Sequence, residues 1–202
     1  MTAKDMAKIT LNLIVIYVIG GLILAFVYAK ASPIMFIKAK EEKEAALKTM
    51  MPEADKIEVM GKWEPHHKHA EYYIAKKGNE ELGYIVESFG KGYSSYINIL
   101  VSVDKNFTVK KINILHHAET PGLGDEIEKD YFLKRFEGKT VDTLVVIKGE
   151  TADKVEAISG ATISSRAVTE DGVRNGVKML KEKLSGGEKE QQQGEEHQNG
   201  AH

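Results

Sequence analysis

Tyr96-Ile97-Asn98-Ile99-Leu100-Val101-Ser102-Val103 and Val109-Lys110-Lys111-Ile112-Asn113-Ile114 decide the fold. Apolar residues recur at alternate positions in both runs, the period at which strand side chains share a face. Asp104-Lys105-Asn106 between them is a polar turn, so the pair reads as an antiparallel hairpin with one buried face. Ile57 to Met60, Tyr72 to Ala75 and Tyr84 to Phe89 are shorter runs of the same kind, and Phe107 to Leu115 bounds the last strand. Gly78-Asn79 and Gly90-Lys91-Gly92 punctuate them. The core is an antiparallel sheet.

Downstream, His116-His117-Ala118-Glu119-Thr120-Pro121-Gly122-Leu123-Gly124 contains a tight Pro-Gly turn with polar neighbours at its mouth. Asp125 is placed to cap a helix from Glu126 to Phe136, which Gly138 closes. Val141 to Lys148 reads as another strand, carrying Leu144-Val145-Val146-Ile147 across the core, and Val155 to Ile158 leads into Ser159-Gly160-Ala161-Thr162-Ile163-Ser164-Ser165-Arg166. Behind that small, hydroxyl-rich turn, Val168, Val173, Val177, Leu180 and Leu184 share one face of a helix. The helix is expected to start near Ser164 or Ser165. Either serine suits an N-cap, worth about 1 kcal/mol, and the free N–H groups and dipole of a helix start favour a phosphate just before Ser164.

Upstream, Ile9 to Tyr28 is apolar and uncharged, roughly the twenty residues that cross a bilayer as a helix. A cleaved signal peptide is the competing reading, with Ala29-Lys30-Ala31 as its site, but the apolar run is too long and its flank weakly basic. Gly20-Gly21 would let a neighbouring helix approach closely. Lys38, Lys40 and Lys43 alternate with Glu41, Glu42 and Glu44 along a second helical stretch that ends at Pro52. The expected organisation is a short tail at 1–8, a transmembrane helix at 9–29, a helical connector at 30–52, a folded domain at 53–184 and a disordered tail at 185–202. The fold class is α+β: one N-terminal transmembrane helix, then an antiparallel-sheet domain flanked by helices.

There is no cysteine, which excludes disulfides, thiolate metal sites and Cys-ligated iron–sulfur clusters. The net charge of −2 argues against a nucleic-acid partner. His66, His67 and His69 lie in a polar connection without a carboxylate among them, so no metal site and no catalytic residue is assigned. Any redox chemistry must use a bound organic cofactor.

Ser159-Gly160-Ala161-Thr162, with Ser164-Ser165 behind it, resembles the flavinylation motif of the FMN-binding domain of the G subunit of the Rnf electron-transport complex. It is similar too to that of the C subunit of the sodium-pumping NADH:quinone reductase. Glu119-Thr120-Pro121-Gly122-Leu123-Gly124 resembles the family's second signature, and Gly90-Lys91-Gly92-Tyr93 its glycine-rich approach. The likeness covers about residues 40 to 184 plus the anchor. It implies FMN held by a phosphoester to Thr162, with Ser159, Gly160, Ala161, Ser164, Ser165, Glu119, Thr120 and Leu123 as cofactor neighbours. One departure stands out: Glu156 occupies the place where the family usually has Asp.

The resemblance further implies an electron carrier within an ion-translocating ferredoxin:NAD+ oxidoreductase. Its partners would be the other subunits of an Rnf-type complex, membrane lipid and, during maturation, a flavin transferase. The chain would span the cytoplasmic (inner) membrane once, with the flavin domain on the extracytoplasmic side. Lys91, Lys110 and Arg166 are candidates to stand beside an anionic flavin. The alternatives are the C subunit of the quinone reductase, a stand-alone extracytoplasmic flavin carrier, and a membrane-tethered assembly module without cofactor.

Overall fold

The computed structural model describes residues 3–185 and divides into two compact units, 1–44 and 45–202. The tail expected to be disordered lies outside the described residues from 186 onward. The first unit consists of helix α1 (Ala3–Met50), which continues past its end into the second. This helix is long and apolar enough to cross a membrane, and its large apolar side chains from Ile9 to Tyr28 are exposed. The expected tail at 1–8 is helical from Ala3, and span and connector form one uninterrupted helix with Pro33 inside it.

The second unit is built on a five-stranded antiparallel meander: β1 (Lys56–Trp63), β2 (Ala70–Lys77), β3 (Glu80–Lys91), β4 (Tyr96–Asp104) and β5 (Val109–His116). Each strand pairs with the next in sequence, with bulges in three of the four ladders. All five strands stand where the alternation places them, although β3 runs on through Gly90 and Lys91. The hairpin expected to have one buried face has two. Ile97, Ile99, Val101 and Val103 point into the larger core, whereas Leu100 packs on the opposite side with Leu47, Met50, Met51, Tyr73, Ala75 and Ile85. The connector thus contributes Leu47, Met50 and Met51 to the domain's interior, and β4, central to both layers, is buried through almost its whole length.

The segment after β5 departs from expectation. Instead of one helix capped by Asp125, there are 3-10 turns at Gly124–Glu128 and Lys134–Phe136 around a short α2 (Asp130–Leu133). Lys129 is extended (φ −74°, ψ 141°), which breaks the helix, and Asp125 accepts instead from the Leu123 N–H at 3.1 Å. Ile127, Phe132 and Phe136 still enter the larger core. The strand expected from Val141 to Lys148 shrinks to β6 (Val146–Ile147), parallel to β7 (Val155–Glu156). Thr140 and Thr143 close a turn on themselves ahead of it, with Thr140 N donating to Thr143 Oγ1 and Leu144 N to Thr140 O.

Helix α3 (Thr162–Arg166) passes without a break into a π-helical stretch, Ala167–Arg174, and then into helix at 175–185. Val168, Val173, Val177 and Leu180 bury the expected face against the sheet. The approach to β3 is close: a side chain at Gly90 would put its Cβ 1.9 Å from the Ala167 carbonyl oxygen. Ser88 Oγ donates to Gly172 O at 2.9 Å, a bond from the sheet to a carbonyl that also accepts the Asn175 N–H within the helix.

Candidate functional site

The two motif segments, far apart in sequence, meet in one cavity of about 560 Å³. It is lined by Tyr93, Glu119, Thr120, Leu123, Gly124, Lys148 and the run Gly160 to Ser164. That size falls within the roughly 300–1,000 Å³ typical of cofactor sites.

One wall is the turn after β7. Gly160 adopts a left-handed conformation (φ 79°), and a Cβ there would meet Leu123 Cδ1 at 2.9 Å. Glycine both permits the turn and keeps the space open. The helix begins at Thr162, earlier than expected, with Ala161 at its N-cap and no side-chain cap. Both serines are therefore corrected as caps. Ser165, fully buried, donates to Ala161 O at 2.9 Å and accepts from Ile158 N at 3.0 Å, which ties the helix start to the incoming chain. Ser164 turns sideways to Glu119. The first helical N–H groups, which have no partner within the helix, belong to the turn that carries Thr162, a half-buried residue on the cavity wall.

The opposite wall is organised by Glu119, only 5% exposed. Its Oε2 accepts from Ser164 Oγ at 2.5 Å and Tyr93 N at 3.2 Å; its Oε1 accepts from Ser94 N at 3.0 Å and Ser95 N at 3.4 Å. Burial alone would push this carboxyl up. The Ser164 hydroxyl and the backbone N–H groups of Ser94, Tyr93 and Ser95 outweigh it and hold the group below its ordinary value. Two glycines leave room for it, since a Cβ at Gly92 would stand 2.5 Å from Oε1 and one at Gly124 2.8 Å from the Glu119 Cβ. His117 supports the same residue from behind. Its Nδ1 accepts from Glu119 N at 3.0 Å while Nε2 faces Glu128 at 2.8 Å, an arrangement that assigns the proton to Nε2. Ser95 Oγ accepts from Ala118 N at 3.0 Å, completing the stitch between the β3–β4 turn and the Pro-Gly loop.

Of the residues singled out from sequence, Thr162, Gly160, Ala161, Ser164, Glu119, Thr120 and Leu123 line the cavity, and Ser159 and Ser165 do not. Tyr93 and Gly124 stood within the quoted motifs without being assigned to the site. Lys148 had no sequence signal, since the parallel pairing of β6 with β7 is what brings it there. Lys91, Lys110 and Arg166 are not among the lining residues, and Lys110 is paired with Glu53. Glu156, in place of the usual Asp, meets Arg135 at 3.2 Å while Arg135 also donates to the Glu156 carbonyl at 2.6 Å. Among the described residues no cluster of His, Asp and Glu could hold a metal ion. The rim is apolar and open: Tyr93 is 74% exposed, Ile163 55% and Leu123 44%.

Residues 92–178 match the family model of the FMN-binding domain. Over 174 residues the chain is 37% identical to the G subunit of the proton-translocating ferredoxin:NAD+ oxidoreductase complex of Clostridium ljungdahlii, covering 85% of this chain and 90% of that one. The chain belongs to this G-subunit family. A second member, the G subunit of the ion-translocating oxidoreductase complex of Methanosarcina acetivorans, is 29% identical over 175 residues, 83% of this chain and 91% of its own. Among solved structures, the C subunit of the Na+-translocating NADH-quinone reductase of Parabacteroides distasonis is similar at 30% identity and a TM-score of 0.46, over 54% of this chain and 59% of that one. In this G-subunit family member the FMN-binding match spans both walls of the cavity, from Gly92 beside Glu119 to the helix behind Thr162.

Proposed function

We propose that this member of the G-subunit family relays electrons through FMN joined by a phosphoester to the Thr162 hydroxyl, as one component of an ion-translocating ferredoxin:NAD+ oxidoreductase complex. The observation that carries the reading is the convergence of Thr162 and the Glu119 to Gly124 loop on one cavity of cofactor size. The residues fit the group. The start of the Thr162 helix offers unpartnered N–H groups to a phosphate, Gly160 and Ala161 add no bulk beside the hydroxyl, and Leu123 and Tyr93 offer apolar surface to a ring. Bound flavin would supply the reversible one- and two-electron chemistry of the relay.

Glu119 holds the β3–β4 turn and the helix start at a fixed separation, and so positions the two walls of the site. Helix α1 anchors the domain to the cytoplasmic membrane, with the flavin domain outside, other subunits of the complex beside it and a flavin transferase acting in maturation. Mass spectrometry of protein from a host with the matching transferase tests the linkage. An FMN adduct in the wild type that is lost in Thr162→Val supports the reading; an undiminished adduct overturns it.

A further inference from the structure

Building on the FMN reading above, we propose that Lys148 compensates the negative charge that the flavin ring acquires on reduction, and so raises the midpoint potential of this site. Only two charged residues are among those lining the cavity, Glu119 and Lys148. Glu119 is withdrawn from the ligand, with both its oxygens occupied by one hydroxyl and three N–H groups. Lys148 is exposed and has no hydrogen bond or ion pair among the described residues. Other lysines of the domain are engaged elsewhere: Lys110 with Glu53, Lys111 with Thr49 O, Lys139 with Ala152 O.

The backbone ahead of Lys148 is fixed on both sides. Val146 N donates to Glu170 Oε1 at 2.9 Å and Ala157 N to Ile147 O at 2.8 Å, so a long, free cationic side chain leaves a rigid root at the cavity edge.

Two negative charges on a tethered flavin nucleotide could attract that ammonium: the phosphodiester and the reduced ring. The phosphodiester would sit on Thr162 at the helix start, which already supplies N–H donors and the positive end of the dipole. For the ring, Lys148 is the one cation among the lining residues. Its full reduction takes two electrons from an external low-potential donor and one proton from water, leaving one negative charge that the oxidised ring lacks. A cation paired with the phosphodiester acts equally in both redox states and leaves the potential unchanged; a cation meeting the new ring charge raises it.

The test is a spectroelectrochemical titration, with dithionite as reductant, of the full-length chain flavinylated in the host and held in detergent, for wild type, Lys148→Gln and Lys148→Arg. Lys148→Gln is expected to lower the midpoint potential by about 30 mV, a tenfold loss of preference for the reduced form in a two-electron couple. Lys148→Arg should stay near wild type, and the gap between wild type and Lys148→Gln should shrink in high salt because an exposed charge is screened. A wild-type potential in Lys148→Gln, or an equal fall in Lys148→Arg, overturns the proposal. Loss of the covalent adduct in either variant assigns Lys148 to attachment instead and overturns it too. A wild-type chain without in-gel flavin fluorescence removes the FMN reading itself, a result visible before any titration and distinct from the others.

Discussion

Ser164 Oγ donates to Glu119 Oε2 across 45 residues of sequence, joining the start of the Thr162 helix to the loop that faces it. The bond fixes the distance between the two walls of the cavity. Because Glu119 also receives the N–H groups of Tyr93, Ser94 and Ser95, one carboxylate sets three chain segments at once.

Glu119→Gln keeps the shape and removes the charge, which at neutral pH should cost about 2 kcal/mol, the range for hydrogen bonds to charged groups. The Glu119 carboxyl is held below its ordinary value of 4.5 in the folded protein. Its stabilisation is therefore full above 4.5 and lost as pH falls through the lower, folded value. Thermal melts of the full-length protein in detergent should show the wild-type advantage over Glu119→Gln at pH 7 and its decline below about pH 4.5. A gap that does not change with pH would count against the ionised pairing.

Ser165→Ala leaves the buried Ile158 N–H without its acceptor, a loss of about 1–3 kcal/mol. The melting temperature should fall accordingly, while Ser159→Ala, at an exposed position outside the cavity lining, should leave it unchanged. Equal effects of the two would remove the distinction drawn between these serines.

Gly90→Ala forces a methyl against the Ala167 carbonyl, backbone against backbone, with no flexible side chain to yield. The expected cost is on the order of 3 kcal/mol, at the upper end for overpacking. It is read as a lowered denaturant midpoint, and a wild-type midpoint would mean that the π-helical stretch can shift away from β3.

Glu156→Asp shortens the reach towards Arg135 by one methylene and should break the side-chain pair. Both groups are partly exposed, so the loss should stay within about 1 kcal/mol. The proposed covalent flavin, read by in-gel fluorescence, is expected to persist, because Arg135 keeps its hydrogen bond to the backbone carbonyl at 156. Loss of fluorescence would give Glu156 of this chain a role beyond structure that an aspartate at the same place does not fill.

The meander was legible in the sequence because strand alternation is a local signal: Ile97, Ile99, Val101 and Val103 announce their face without reference to the rest of the chain. The second buried face was not, since Leu100 finds Leu47 and Met50 only after the chain has folded back over some fifty residues. The Glu119 and Thr162 segments were legible as motifs, but their roles were not. Whether a serine caps a helix or reaches across to a carboxylate depends on which partner tertiary packing places within reach, and Ser164 has Glu119. Lys148 reaches the cavity because Thr140 and Thr143 fold the preceding residues into a turn and leave a two-residue strand to set its position.

Helix α1 ends as part of the sheet's interior, with Leu47 and Met50 seated against Tyr73, Ile85 and Leu100. The border between the apolar stretch and the domain therefore lies within helix α1. A chain cut to begin at 45 would retain these plugs and is the shortest from which a water-soluble form should be sought. One begun at 53 would leave the back of the sheet bare and greasy, and would be expected to clump.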